Sequence, residues 1–141
     1  MFRNFIKAGW VVVIVGALAG VALRADQEDG QKAPTVTRTV LKQQDLPMPG
    51  GFASALVRVD LPVGAREGRH YHPGTLVALV EAGTITLEVE GKPTDYKTGE
   101  TFSVEPGKIH EGMNKGTVPV RLTASFVFPK DKPMTIQVPQ Q

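Results

Sequence analysis

The 141-residue sequence predicts an all-β fold, a sandwich or closed antiparallel barrel, on three observations. Segments rich in β-branched and alternating apolar residues recur with turn signals about every 8 to 12 residues. Gly (15) and Pro (11) are frequent, as many short strands require. No amphipathic helical period of useful length follows residue 25. The length suits one domain, and 41% hydrophobic content supplies a core.

The first segment stands apart from this pattern. Arg3 and Lys7 precede an apolar run from Ala8 to Leu23, and small-x-small sites follow at Ala17-Leu18-Ala19 and Gly20-Val21-Ala22. Residues 1–25 are expected to be a secretory signal peptide or an uncleaved N-terminal anchor helix. The run of 16 residues is shorter than the roughly 20 a spanning helix needs, which favours cleavage. Either way the domain is expected outside the cytoplasm, periplasmic or secreted, or anchored in the inner membrane and facing the periplasm. Residues 26–34, "DQEDGQKAP", read as a polar linker, and the domain is expected over 35–141.

The strands follow in order. "TVTRTVL" (35–41) is β-branched; "FASALVRVDL" (52–61) alternates, with Ala53, Ala55, Val57 and Val59 on one face. "TLVALV" (75–80) and "TITLEVE" (84–90) flank a short "EAG" connection. Gly91 is expected to open a turn through "KPTDYKTG". "ETFSVEPG" (100–107), "VPVRLTASFVF" (118–128) and "MTIQV" (134–138) complete the set. A closed arrangement hides the sheet edges such strands would otherwise expose.

Composition excludes several function classes. There is no cysteine, hence no disulfide, thiolate metal site or cysteine nucleophile. The formal charge of +2 owes Arg3, Lys7 and Arg24 to the first segment; the rest holds 13 basic and 14 acidic residues with no like-charged run. A nucleic-acid partner is therefore not expected.

The chain has three histidines, His70, His72 and His110. Residues two apart on a strand share a face, so His70 and His72 can point together while Tyr71 points out. A third imidazole from a distant strand would make a facial triad suited to Fe, Mn, Ni, Cu or Zn. The segment Gly64, "AREGR", His70, Tyr71, His72, "PGT", Leu76, "VALVEA", Gly83 resembles the first motif of the cupin superfamily. The segment Gly99, "ETFSV", Glu105, Pro106, Gly107, "KI", His110, "EGM", Asn114 resembles the second. The two departures are Leu76, where the family has a glutamate ligand, and Glu105, where it has a proline. The chain thus looks like a small single-domain bacterial cupin with a type-2 cupin domain. The resemblance implies a small β-barrel or jelly roll, often dimeric through an N-terminal strand, with a divalent metal held by His70, His72 and His110. It implies no single reaction.

Leu76, Ala78 and Val80 are expected to line a small apolar pocket suited to a modest organic ligand. Leu76 leaves the charge of a divalent ion uncompensated and a coordination position open, which favours an anionic oxygen ligand. Three histidines alone can hold a metal, as in carbonic anhydrase. Neither Glu111, turned away by alternation, nor Glu81, five residues beyond Leu76, is placed as a fourth ligand. Asn114 is expected to cap a turn at the barrel rim, and Tyr71 and Tyr96 to pack on sheet surfaces. Gly64, Gly83, Gly99 and Gly107 are expected at turns with unusual backbone angles. Two functions stand side by side: a metal-binding module for a small ligand, and a metal-dependent oxygenase or isomerase acting on a chelating organic acid or phenolic.

Overall fold

The computed structural model describes residues 32–139. The reading of residues 1–25 as a signal or anchor therefore lies outside the described residues. Ten strands follow in chain order: β1 (Thr37–Asp45), β2 (Phe52–Leu61), β3 (His70–Tyr71), β4 (Thr75–Ala82), β5 (Thr84–Val89), β6 (Lys92–Lys97), β7 (Thr101–Val104), β8 (His110–Met113), β9 (Val120–Pro129) and β10 (Ile136–Gln137). They form two five-stranded sheets, ordered β1-β2-β9-β4-β7 and β10-β3-β8-β5-β6. Every pairing is antiparallel. The all-β jelly-roll expectation is the observed fold.

Alternation builds the core. Ala53, Ala55, Val57, Val59 and Leu61 of β2 are all buried, as are Val120, Leu122, Ala124, Phe126 and Phe128 of β9. Cross-strand register pairs small with large: Ala53 faces Phe128 and Ala55 faces Phe126. One row differs. Val57 pairs with Ala124, and Ala124 pairs with Ala78. This row of small side chains leaves the interior incompletely filled, and all three residues line a cavity.

Residues 92–97, expected to be a turn, form strand β6. Glu90 and Gly91 both have positive φ (50° and 80°), the two-residue hairpin turn whose twist suits antiparallel strands. β6 then pairs with β5 along its whole length. Its polar composition and Pro93 fit an edge strand, which is its place in the sheet. Conversely, only residues 136–137 of the 134–138 segment are strand.

The expected turn glycines Gly64, Gly83, Gly99 and Gly107 all have positive φ, between 76° and 86°. Gly74 is needed for a different reason: a Cβ there would collide with the backbone of Val127 and Phe128. Asn114 is 2% exposed and fully bonded. Its Nδ2 donates to Leu61 O and Val118 O, and its Oδ1 accepts from Gly116 N–H. That ties the β8–β9 turn to the end of β2, as expected. Tyr96 is half-buried against Phe102, with ring centroids 5.0 Å apart; Tyr71 is half-buried on β3.

Candidate metal centre

His70 lies on β3 and His110 on β8, and the two strands pair at these two residues. His72 follows one residue beyond β3, and its carbonyl accepts from Gly107 N–H at 2.9 Å. That bond fastens the first histidine segment to the turn before β8. The ring centroids of the three imidazoles lie 4.3 to 5.0 Å apart. Each is 4% exposed or less.

The hydrogen bonds fix which nitrogen of each ring is free. His70 Nδ1 bonds Gly68 O at 2.7 Å, His72 Nδ1 bonds Met134 O at 2.8 Å, and His110 Nδ1 bonds Lys108 O at 2.9 Å. A carbonyl has no proton to give, so each Nδ1 carries the hydrogen and donates it. Each Nε2 is then a bare lone pair. One ligand atom from each ring can be chosen such that all three lie within 4.8 Å of one another. Three clustered imidazoles with bare Nε2 atoms, each ring backed by a carbonyl, could hold a late divalent ion.

Burial pushes all three imidazoles below their ordinary pKa; the neighbouring rings add to this for His72 and His110, and the charge of Arg38 adds to it for His70. His72 is pushed furthest, to about 4. At neutral pH the three rings are uncharged, the state that can ligate a metal.

The histidines open on a cavity of about 30 Å³. That is room for about two water-sized groups. Leu76 and Ala78 line it as expected, but Val80 does not: it is fully buried in the core and does not reach the cavity wall. Val80 shares their face of β4, but Val80 N–H and O bond to Glu100 and Gly99, at the far end of the strand. Leu76 comes from the sheet opposite the histidines, paired with Phe126 and Val104.

The cupin domain pattern matches residues 57–128, a span that holds all three histidines. The chain belongs to the cupin family. This cupin is 23% identical to a double-stranded β-helix protein from Klebsiella pneumoniae, over 78% of this chain and 88% of that one, with a TM-score of 0.60. A cupin superfamily protein from Desulfitobacterium hafniense is 16% identical over 67% of this chain and 78% of that one, with a TM-score of 0.57. An oxalate oxidase is 22% identical over 71% of this chain and 62% of that one, with a TM-score of 0.54. These likenesses carry the fold. No curated protein matches the chain.

Two acids and two arginines complete the surroundings of the cupin's site. Glu111 does turn away from the cavity, yet not into solvent. It is 3% exposed and accepts two hydrogen bonds from Arg66, one of them from Nε at 2.9 Å. It also accepts from Gly68 N–H at 3.2 Å, and Gly68 O is the partner of His70 Nδ1. Glu111 therefore holds the glycine whose carbonyl holds His70. The Arg66 hydrogen bonds keep its carboxyl below the usual carboxylate range. Glu81 is on the surface, bonded by Thr123 Oγ1.

Glu67 lines the cavity and is a carboxylate that the sequence reading did not place there. It sits in an irregular loop, Pro62 to Arg69, where alternation gives no direction. Its signal was its position: it is the one acid between Gly64 and His70. Glu67 N–H bonds Gly112 O, and a Cβ on Gly112 would collide with Glu67 Oε2. Burial pushes its carboxyl up, against the opposing pull of Arg38 and His110. Arg38, on β1, also lines the cavity.

Proposed function

We propose that this cupin is an exported protein that binds a divalent transition metal through Nε2 of His70, His72 and His110 and takes a small organic ligand beside it. The observation that supports this reading is the set of three Nδ1–carbonyl bonds, which leaves Nε2 of three clustered imidazoles free to ligate. When bound, a divalent ion would supply Lewis acidity and an open position for an anionic oxygen. The residues do the rest: they hold neutral imidazoles in one tautomer and wall the position with apolar groups. Replacing any one of the three histidines with Ala is expected to weaken metal affinity at least about 100-fold, because a bidentate pair chelates poorly. Calorimetric titration of Mn, Fe, Ni, Cu and Zn into each protein tests it; equal affinity in the wild type and all three variants would refute the site.

A second reading has one observation in its favour. A metal-dependent oxygenase or isomerase acting on a chelating organic acid or phenolic needs a group to hold or move a proton. Glu67 is a buried carboxylate with a raised pKa on the cavity wall, as such a group must be. Turnover of a candidate acid that disappears in Glu67→Gln, with metal affinity kept, would select the enzyme; no turnover of any such acid would select the binding module.

Export is supported by the basic start and apolar run of residues 3–23. N-terminal sequencing of the exported protein is expected to begin within residues 20–26. An intact Met1 in the membrane fraction would select the anchored form, and a cytosolic pool would reject export.

A further inference from the structure

Besides the histidines, the cavity is lined by two charged side chains, Arg38 and Glu67. Arg38 is on β1, opposite Val59, itself a wall residue. Val36, two residues earlier on the same face, packs on the core, so the strand aims Arg38 inward. Arg38 Nη2 donates to Glu67 Oε1 at 2.9 Å. This is its only side-chain hydrogen bond among the described residues, which leaves most of the guanidinium's five donors unengaged. Its side chain is 35% exposed and that of Glu67 10%. The arginine therefore reaches both the interior and solvent, while its partner is the buried member.

We infer that Arg38 is the ligand-recognising residue of the cavity, taking the carboxylate of a small organic acid by its guanidinium fork, with Glu67 as the counter-ion that the ligand displaces. The inference rests on the metal-site reading for the second attachment point of the acid, beside the histidines. A guanidinium matches a carboxylate bidentately, which an ammonium does not. Charge balance points the same way. Arg38 and Glu67 cancel, so a divalent ion on three neutral imidazoles would leave a charge of +2 for the ligand to offset. Leu76 adds no carboxylate of its own. The remaining wall, including Leu76, Ala78, Leu122 and Phe126, is apolar apart from Thr135, and the cavity is small, about 30 Å³. A polyhydroxylated sugar or a nucleotide finds few polar partners on such a wall. A short acid with a second oxygen donor fits.

The test uses acetate, glycolate and oxalate, with acetamide and glycolamide as neutral isosteres, titrated calorimetrically into the full-length mature protein loaded with Zn. The acids are expected to bind and the amides not. In Arg38→Met, acid affinity is expected to fall at least about tenfold with Zn affinity unchanged. Arg38→Lys is expected to fall between the two, because it keeps the charge and loses the fork. Glu67→Gln is expected to gain several-fold, because it frees the guanidinium. Both Arg38→Met and Glu67→Gln break the same ion pair, so a purely structural pair would weaken binding in both. A loss in both, no change in Arg38→Met, or equal binding of acids and amides would each overturn the inference. Zn affinity is read first and separately. If the wild type holds no Zn, the metal reading fails by itself, and the panel is run on the metal-free protein. There a loss of acid selection in Arg38→Met still supports the role of Arg38, and no selection in the wild type overturns it.

Discussion

Leu76 occupies the place of the family's acidic ligand and is 6% exposed on the cavity wall. Replacing it with Glu would put a fourth donor opposite the three imidazoles. A carboxylate would offset one unit of an ion's charge, so metal affinity is expected to rise at least about tenfold in Leu76→Glu. Without metal the same group is a carboxyl in an apolar wall, and stability is expected to fall by about 3 kcal/mol. Metal titrations and melts of both metal-free proteins check this; unchanged affinity for every metal would show that residue 76 does not face the ion. Glu111 acts at one remove, through Gly68. In Glu111→Ala the Gly68 N–H loses its acceptor, expected to cost on the order of 2 kcal/mol. The carbonyl that orients His70 loosens with it, and metal affinity is expected to drop about tenfold. Glu111→Gln keeps an oxygen for Gly68 and is expected to recover most of that affinity. A Gln variant as impaired as the Ala variant would mean that the charge on Arg66, not the Gly68 bond, matters.

At the scale of elements, β1 is the anomaly. It pairs with its own β2 from Thr37↔Asp60 to Asp45↔Ala53, skipping a residue between Val40 and Lys42. All nine of its residues are exposed, with Val40 at 51% and Leu41 at 43%. It is an edge strand with Val40 and Leu41 exposed, and its unpaired backbone groups can take another strand. We propose a homodimer joined along this edge. Sedimentation at micromolar concentration is expected to show a dimer, and Val40→Lys is expected to shift it to monomer. A wild-type monomer would reject the proposal. Arg38 lies on the same strand, so an interface there would lie close to the cavity's charged pair.

At the scale of the whole molecule, the histidine cluster ties stability to pH. An unfolded imidazole takes a proton near pH 6.5, while His72 in the fold resists until about 4. Between those values the unfolded chain binds more protons, so stability is full above pH 6.5 and is lost as pH falls towards 4. His72 is expected to account for on the order of 3 kcal/mol of that loss. His70 and His110 shift the same way and add to it. Glu67 works in the opposite sense: its raised pKa gives a contribution present at low pH and lost as pH rises through its folded value. Thermal melts of the metal-free protein are expected to drop steadily from pH 7 to pH 4, and less steeply in His72→Gln. A flat profile over that range would mean the imidazoles are not desolvated.

The sequence by itself determined most of the strands and the candidate ligands. Alternation at 52–61 and 118–128 faithfully marks buried faces, because a strand's period of two is a local property. The spacing around His70, His72 and His110 carries the family's histidine positions, and the four turn glycines mark backbone angles other residues resist. β6 was illegible because Pro93 and four polar residues give it no apolar face; its strand state comes from pairing with β5 and a turn at Glu90 and Gly91. Val80 was misplaced because parity gives the face of a strand and not the depth along it. Glu67 and Arg38 were invisible for a deeper reason. They lie 29 residues apart, one in a loop without period and one on an exposed strand, and only closure of the two sheets brings their charges together at the cavity.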